Sequence, residues 1–334
     1  RELVIRFYAE KIPACGYRVF TLKPGKGALK LPKPVRTPKT VVLENEFLKV
    51  TVNAKGKVAL LDKTSGVKTV DLLTLTDEAD FGHSYNFMAA KGDEPEIISD
   101  TVPSIRLLEK TGTGQTVELE WKPKLPAEYD RKRGRRSGRR VANRISLKLA
   151  LSQGSRRLDL DVQVDNRSKD HRLRLWVNTD AASDFSFASA PFEVVKRDRR
   201  DLLKGIRDDG TQPNGGMVAV TDKERSLAVL NEGVYEYEHL LNKRGSLAFT
   251  LVRSTGEITH GGYVEPEFDT ESALEWICPE NQCLREVSFR LAVVPGVKNI
   301  AELERMRLAF AAPPLAFFDA VDPHKFSGGR VCVQ

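Results

Sequence analysis

The chain has 334 residues, 40% hydrophobic and 30% charged, which is the make-up of a folded globular protein and excludes general disorder. Its formal charge of +7 sits in one place: residues 131–140 hold seven Lys or Arg and no acid, and the other 46 basic side chains balance 46 acidic ones. No apolar run approaches the roughly 18–20 residues that a membrane-spanning helix needs, and four cysteines (Cys15, Cys278, Cys283, Cys332) with no C-x-x-C pair exclude a disulfide scaffold.

The elements read as strands almost throughout. The chain opens RELVIRFYAE, with no initiator Met and no signal-peptide apolar core, as expected of a fragment or a processed chain. Residues 1–22 are expected to be the end of an upstream small β domain, and the Pro- and Lys-rich stretch 23–40 a linker. From there "ENEFLKVTVN" turns through "AKGK" into "VALLDKTSG", a hairpin. "TVELEWK" (116–122), "RISLKLAL" (144–151), "RRLDLDVQVDN" (156–166) and "HRLRLWVNTD" (171–180) alternate apolar and polar residues. "GMVAVTD", "SLAVLNEGVYEYEHL", "SLAFTLVRS" and "REVSFRLAVVPG" follow. Period two on one apolar phase predicts antiparallel strands. The fold class is therefore all-β, two large stacked sheets across 41–298. One helix is predicted, "NIAELERMRLAF" (299–310), with apolar positions at 300, 303, 306 and 310. Residues 299–334 are expected to hold that helix and the start of a truncated C-terminal segment.

The run "EYDRKRGRRSGRR" (128–140) falls between two strand-like stretches. It has no aromatic inside it, no helix to carry it and neutral surroundings in sequence, so it predicts a solvated hairpin tip and not a nucleic-acid reader. Polyanion binding is the weaker alternative. No G-x-S-x-G elbow, P-loop, G-x-G-x-x-G or H-E-x-x-H occurs. The five histidines stand apart from each other and from cysteine, so no zinc site built by this chain is expected. Three polar clusters rise above the background: "DEADFGHSYNF" (77–87), "DNRSKDHRLRL" (165–175) and "ALEWICPENQCLR" (273–285). Singly, each is explained by turn chemistry and ion pairs.

Together and in this order they resemble the C-terminal β region of family 38 glycoside hydrolases, the α-mannosidases and mannosylglycerate hydrolases. The resemblance runs through "IPACGYRVF", "LENEFLKVTVNAKGKVALLDKTSG", "FGHSYNF", "LDVQVDNRSKDHRLRL", "TQPNGGMVAV", "SLAVLNEGVYEYE", "ENQC" and "FRLAVVPG". It implies a galactose-mutarotase-like super-sandwich, which agrees with the strand pattern. It also implies an upstream catalytic domain of the same polypeptide that holds zinc and supplies the nucleophile for retaining hydrolysis. The fragment alone is then expected to be inactive, with no catalytic residue, no metal ligand and no bound cofactor of its own.

The resemblance places one side chain in the sugar pocket, Tyr85, whose ring suits a sugar's C–H face and whose hydroxyl suits a sugar hydroxyl. Ser84 and Asn86 flank it as further candidates, although strand neighbours point to opposite faces and these two more readily set the turn. His83 stands where related enzymes often carry Asp. A second contact, from loop backbone, falls on Gly261 and Gly262 in "THGGYVEPE". Asn166, Asp170, His171 and Arg172 follow the family pattern and are read as structural. The partners implied are mannose-containing glycans or glycosides and the upstream domain; no nucleic acid and no membrane are expected, homo-oligomerisation is compatible, and the thiol usage suggests a cytoplasmic protein. The competing reading is a stand-alone carbohydrate-binding or mutarotase-like sandwich.

Overall fold

The computed structural model describes residues 40–200, 210–259, 276–319 and 330–333, with Phe7, Ala9, Ile12, Pro13 and residues 16–20, 35 and 36. Two antiparallel sheets dominate. The larger has ten strands, in the order 193–198, 185–190, 217–221, 226–232, 286–295, 158–165, 144–152, 114–121, 104–110 and 35–36. The smaller has six, in the order 211–213, 236–239, 247–254, 171–177, 73–79 and 96–97. A four-stranded sheet, 41–44, 48–52, 58–62 and 68–69, closes one side. The all-β class predicted from the strand pattern holds.

Alternation explains the core. On strand 158–165 the residues Leu158, Leu160, Val162 and Val164 are buried, and their neighbours Asp161 and Gln163 face solvent. Leu147 and Leu149 of the next strand join them. Opposite lie Leu173, Leu175 and Phe249 of the six-stranded sheet, and Leu43, Val50 and Leu60 of the four-stranded one, in one continuous apolar cluster. Such burial is the main favourable contribution to folding.

Three strands break the alternation for a clear reason. Val218, Leu227, Val229, Leu291 and Val293 face the main core, whereas Met217, Ala219, Ala228, Leu230, Ala292 and Val294 face a second cluster. That cluster is sealed by Leu303 and Phe310 of the helix Ile300–Ala311. Strands covered on both faces read as unbroken apolar runs. The helix starts where Asn299 caps it, its Oδ1 accepting from the amides of Ala301 (2.9 Å) and Glu302 (3.2 Å). Further along, Arg18–Phe20 pairs with Arg330–Val333, which also pairs with Ala316–Asp319.

The loop 128–140 is a hairpin with an exposed tip, as expected of it, but Arg136 is tucked against the protein. Strand pairs 124–126 with 140–142 and 129–130 with 135–136 build a hairpin extension, and several of its arginines form ion pairs. Arg131 pairs with Glu257 (3.0 Å), Arg139 with Glu128 (3.6 Å) and Arg140 with Glu96 (2.5 Å). Arg136 is 9% exposed and pairs with Asp77 (2.6 Å) and Asp93 (2.8 Å). Glu257, Glu96, Asp77 and Asp93 lie far away in sequence, whereas Glu128 belongs to the loop itself, so the local charge count overstated the free charge.

His239, at the end of strand 236–239, is 5% exposed, and neither ring nitrogen has a hydrogen-bond partner. Burial, together with the nearby Arg199 guanidinium, pushes its pKa from 6.5 down to about 4. The folded protein thus keeps the ring neutral where the unfolded chain takes up a proton. Stability should fall as pH drops from 6.5 towards 4 and level off below, by on the order of 3 kcal/mol. Urea midpoints across this range should show the step in the wild type and lack it in His239→Phe. Equal slopes in both would refute the assignment.

Candidate functional site

Strand 73–79 runs out at Ala79, and the chain then makes a tight excursion before returning at Met88. The Phe81 amide donates to the Met88 carbonyl (3.1 Å) and the His83 amide to the Asn86 carbonyl (3.1 Å). Gly82 lies so close to that Asn86 carbonyl that a Cβ would collide with it. At the tip, Tyr85 is 62% exposed, its ring edge-on to His83 with centroids 5.9 Å apart. An exposed tyrosine on a hydrogen-bonded turn offers a flat apolar face and a hydroxyl to a ligand.

A buried carboxylate holds the excursion. Asp80 is fully buried, and its Oδ1 accepts from the amides of Gly82 (2.9 Å) and Met88 (3.2 Å). Its Oδ2 accepts from Arg253 Nε (2.7 Å), whose two other nitrogens donate to the carbonyls of His83 (2.6 Å) and Ser84 (3.2 Å). Arg253 therefore spans the carboxylate at the base and the two carbonyls just before Tyr85. Phe81 stacks on Tyr129 at 5.3 Å, and the Arg172 guanidinium lies 3.4 Å from the Phe87 ring. Both sides of the turn are tied down.

The three polar clusters of the sequence converge beneath it. Asp77 Oδ1 meets His171 Nδ1 at 2.5 Å, and Asp77 Oδ2 meets Arg136. His171 Nε2 lies 2.9 Å from Asn166 Oδ1, and Asn166 Nδ2 donates to Ser254 Oγ (3.0 Å) and to the carbonyls of Gln282 and Cys283. Asp170 exchanges two hydrogen bonds with the Gln282 side chain, at 2.7 and 3.0 Å. Asp77, Asn166 and His171 are nearly or fully buried, as their structural reading requires. Arg172 and Arg174 project from the other face of the sheet, sharing Glu78 at 3.0 and 2.8 Å, with Arg174 also on Glu238. Burial pushes the Glu238 carboxyl up, and the Arg174 guanidinium opposes that shift.

Ser84 and Asn86 serve the turn. Ser84 Oγ donates to the Glu257 carbonyl (3.2 Å) and accepts from Asn281 Nδ2 (2.9 Å), and the Asn86 carbonyl closes the hairpin. Gly261 and Gly262 lie outside the described residues. Cys278 and Cys283 are half-buried free thiols. Asp80, Arg136, Arg253 and Gln282 were not singled out as site residues in the sequence, since their partners lie between 40 and 173 positions away or depend on backbone geometry; only the acid-rich "DEAD" hinted at a buried carboxylate. Among the described residues, no group of three or more His, Cys, Asp or Glu is arranged to hold a metal ion, and no helix is long and apolar enough to cross a membrane.

Residues 43–257 match the model of the glycosyl hydrolases family 38 C-terminal domain. The chain belongs to that family. It is 28% identical over 312 residues to a Halalkalibacterium halodurans protein named "Putative mannosylglycerate hydrolase", covering 88% of this chain and 33% of that one. An α-mannosidase structure from Enterococcus faecalis V583 superposes with a TM-score of 0.73 at 24% identity, over 84% of this chain and 32% of its own. A second Enterococcus faecalis structure, of a protein in glycosyl hydrolase family 38, gives 0.71 at 24% identity, over 86% and 34%. This family 38 domain thus spans about a third of the length of the relatives it matches, and shares the fold of the two solved ones.

Proposed function

We propose that the chain is the non-catalytic C-terminal β domain of a retaining α-mannosidase, acting on mannose-containing glycans or glycosides and shaping their pocket through Tyr85. The observation that carries this is the placement of Tyr85: an exposed aromatic at the tip of a turn whose base is a buried ion pair. A ring presented rigidly loses little conformational freedom on binding, so more of its contact energy reaches the ligand. The zinc and nucleophile that the family resemblance implies belong, on this reading, to an upstream domain. The described residues offer no donor set that fits zinc, so no step in this chain passes through it. The division of the chain into an N-terminal remnant, a linker, the sandwich from 41 to 298 and a terminal segment belongs to the same proposal.

In a polypeptide extended through the upstream domains, Tyr85→Phe removes one hydroxyl and keeps the ring. It should lower kcat/KM on an aryl α-mannoside by about threefold to tenfold, the range of one hydrogen bond, with zinc content unchanged. Unaltered kinetics would refute the role of Tyr85.

A further inference from the structure

Two hydrogen bonds fix the backbone of residue 83 before its side chain is considered. Its amide donates to the Asn86 carbonyl at 3.1 Å, and its carbonyl accepts from Arg253 Nη2 at 2.6 Å. Gly82, just before it, has no side chain to hold the chain away from that Asn86 carbonyl. The imidazole that follows is turned inwards: His83 is 4% exposed, whereas Ser84 and Tyr85 are exposed. A buried polar ring directly beneath an exposed one is unfavourable unless its nitrogens are engaged.

One of those nitrogens is engaged by Tyr85 itself. The Tyr85 amide donates to His83 Nδ1 at 3.3 Å, and the two rings meet edge-on with centroids 5.9 Å apart. A neutral imidazole has one acceptor nitrogen and one donor nitrogen, so an acceptor at Nδ1 puts the proton on Nε2. The ring contact lies inside the range of roughly 4.5–7 Å over which aromatic pairs attract. His83 thus reaches Tyr85 twice, through the backbone at Nδ1 and through the side chain at the ring edge. Asparagine offers such an acceptor without a ring, and phenylalanine a ring without an acceptor.

We propose that His83 is a positioning residue for Tyr85, its Nε2-protonated imidazole setting both the turn at Tyr85 and the direction of the ring that meets the sugar. A tyrosine free to move has to be ordered on binding, an entropic cost that a held one avoids. The buried imidazole does not itself touch the ligand; it acts through the exposed ring above it. The inference rests on the reading of Tyr85 given above and deepens it by naming the group that holds that ring in place.

The test follows aryl α-mannoside hydrolysis in the polypeptide extended through its upstream domains. His83→Phe should lower kcat/KM by about twofold to tenfold, the range for ordering one side chain on binding. His83→Asn, which keeps an acceptor near the Nδ1 position, should recover part of that loss. In a Tyr85→Ala background His83→Phe should have no further effect, because residues that act through one another are not additive. A histidine that merely supports the fold would lower activity equally in both backgrounds. Nitrogen NMR of the imidazole in the unsubstituted chain, which needs no variant to fold, should find the proton on Nε2 and none on Nδ1. A proton on Nδ1, no loss from His83→Phe, or an equal loss with and without Tyr85 would overturn this inference and leave the role of Tyr85 standing. Full activity in Tyr85→Ala would overturn both.

Discussion

Replacing Asp77 with alanine should destabilise the 334-residue chain by about 3–5 kcal/mol, the cost typical of breaking a buried charge pair from one side. Asp77 is 1% exposed and carries two loads at once, His171 on one oxygen and Arg136 on the other. Its removal leaves a buried guanidinium with Asp93 as its main remaining counter-charge, and frees the ring that holds Asn166. Asn166 in turn reaches Ser254 and the carbonyls at 282 and 283, so a single deletion loosens four segments distant in sequence. Losses within one such network are not additive. Accordingly, Asp77→Ala combined with His171→Ala should cost clearly less than the sum of the two single variants. Urea unfolding of all three variants measures this. A loss below about 1 kcal/mol for Asp77→Ala, against that same buried-pair range, would show that the assembly is not what secures the corner.

The second large effect concerns Arg253. Arg253→Ala removes three hydrogen bonds that join Asp80 to the carbonyls of His83 and Ser84, and leaves a fully buried carboxylate without its counter-charge. The global loss should be about 2–4 kcal/mol, but the sharper consequence is local. The hairpin amides of His83 and Met88 should exchange their hydrogens at least about tenfold faster relative to the core strands, since local opening is governed by the contacts that hold a segment. Arg253→Lys keeps the charge beside Asp80 but lacks the planar fork that reaches both carbonyls. It should recover much of the stability and little of the protection at His83. A uniform change in exchange over the whole domain, with no excess at the turn, would make Arg253 a general stabiliser and not a support for Tyr85.

Strand identity was legible wherever one face is wet. Leu158, Leu160, Val162 and Val164 announce both the strand and its buried side, and the 299–310 pattern announces a helix that the structure places at Ile300–Ala311. The pattern fails where both faces are covered, as at Val218 to Val220, because period two vanishes there. It also fails where polar side chains point inwards: strand 73–79 carries buried Asp77 on its core phase and reads as acid-rich turn chemistry. The ion pairs of the basic run were hidden for a related reason. Its seven charges are local, whereas Glu257, Asp77, Asp93 and Glu96, which neutralise several of them, arrive only when the chain has folded. Of the candidate site, Tyr85 came from the family resemblance and the structure adds its exposure. The brace beneath it pairs Asp80 with Arg253 across 173 positions, which no local pattern encodes.

The central claim is that this domain shapes a sugar pocket whose reactive groups lie elsewhere in the polypeptide. Zinc-dependent hydrolysis of an aryl α-mannoside tests it most directly, with the 334-residue chain measured beside a polypeptide extended through the upstream domains. The account predicts turnover in the extended polypeptide, weakened by Tyr85→Phe, and none in the chain alone. Hydrolysis by the 334-residue chain itself would contradict it and would place the catalytic groups among the acids surrounding Tyr85.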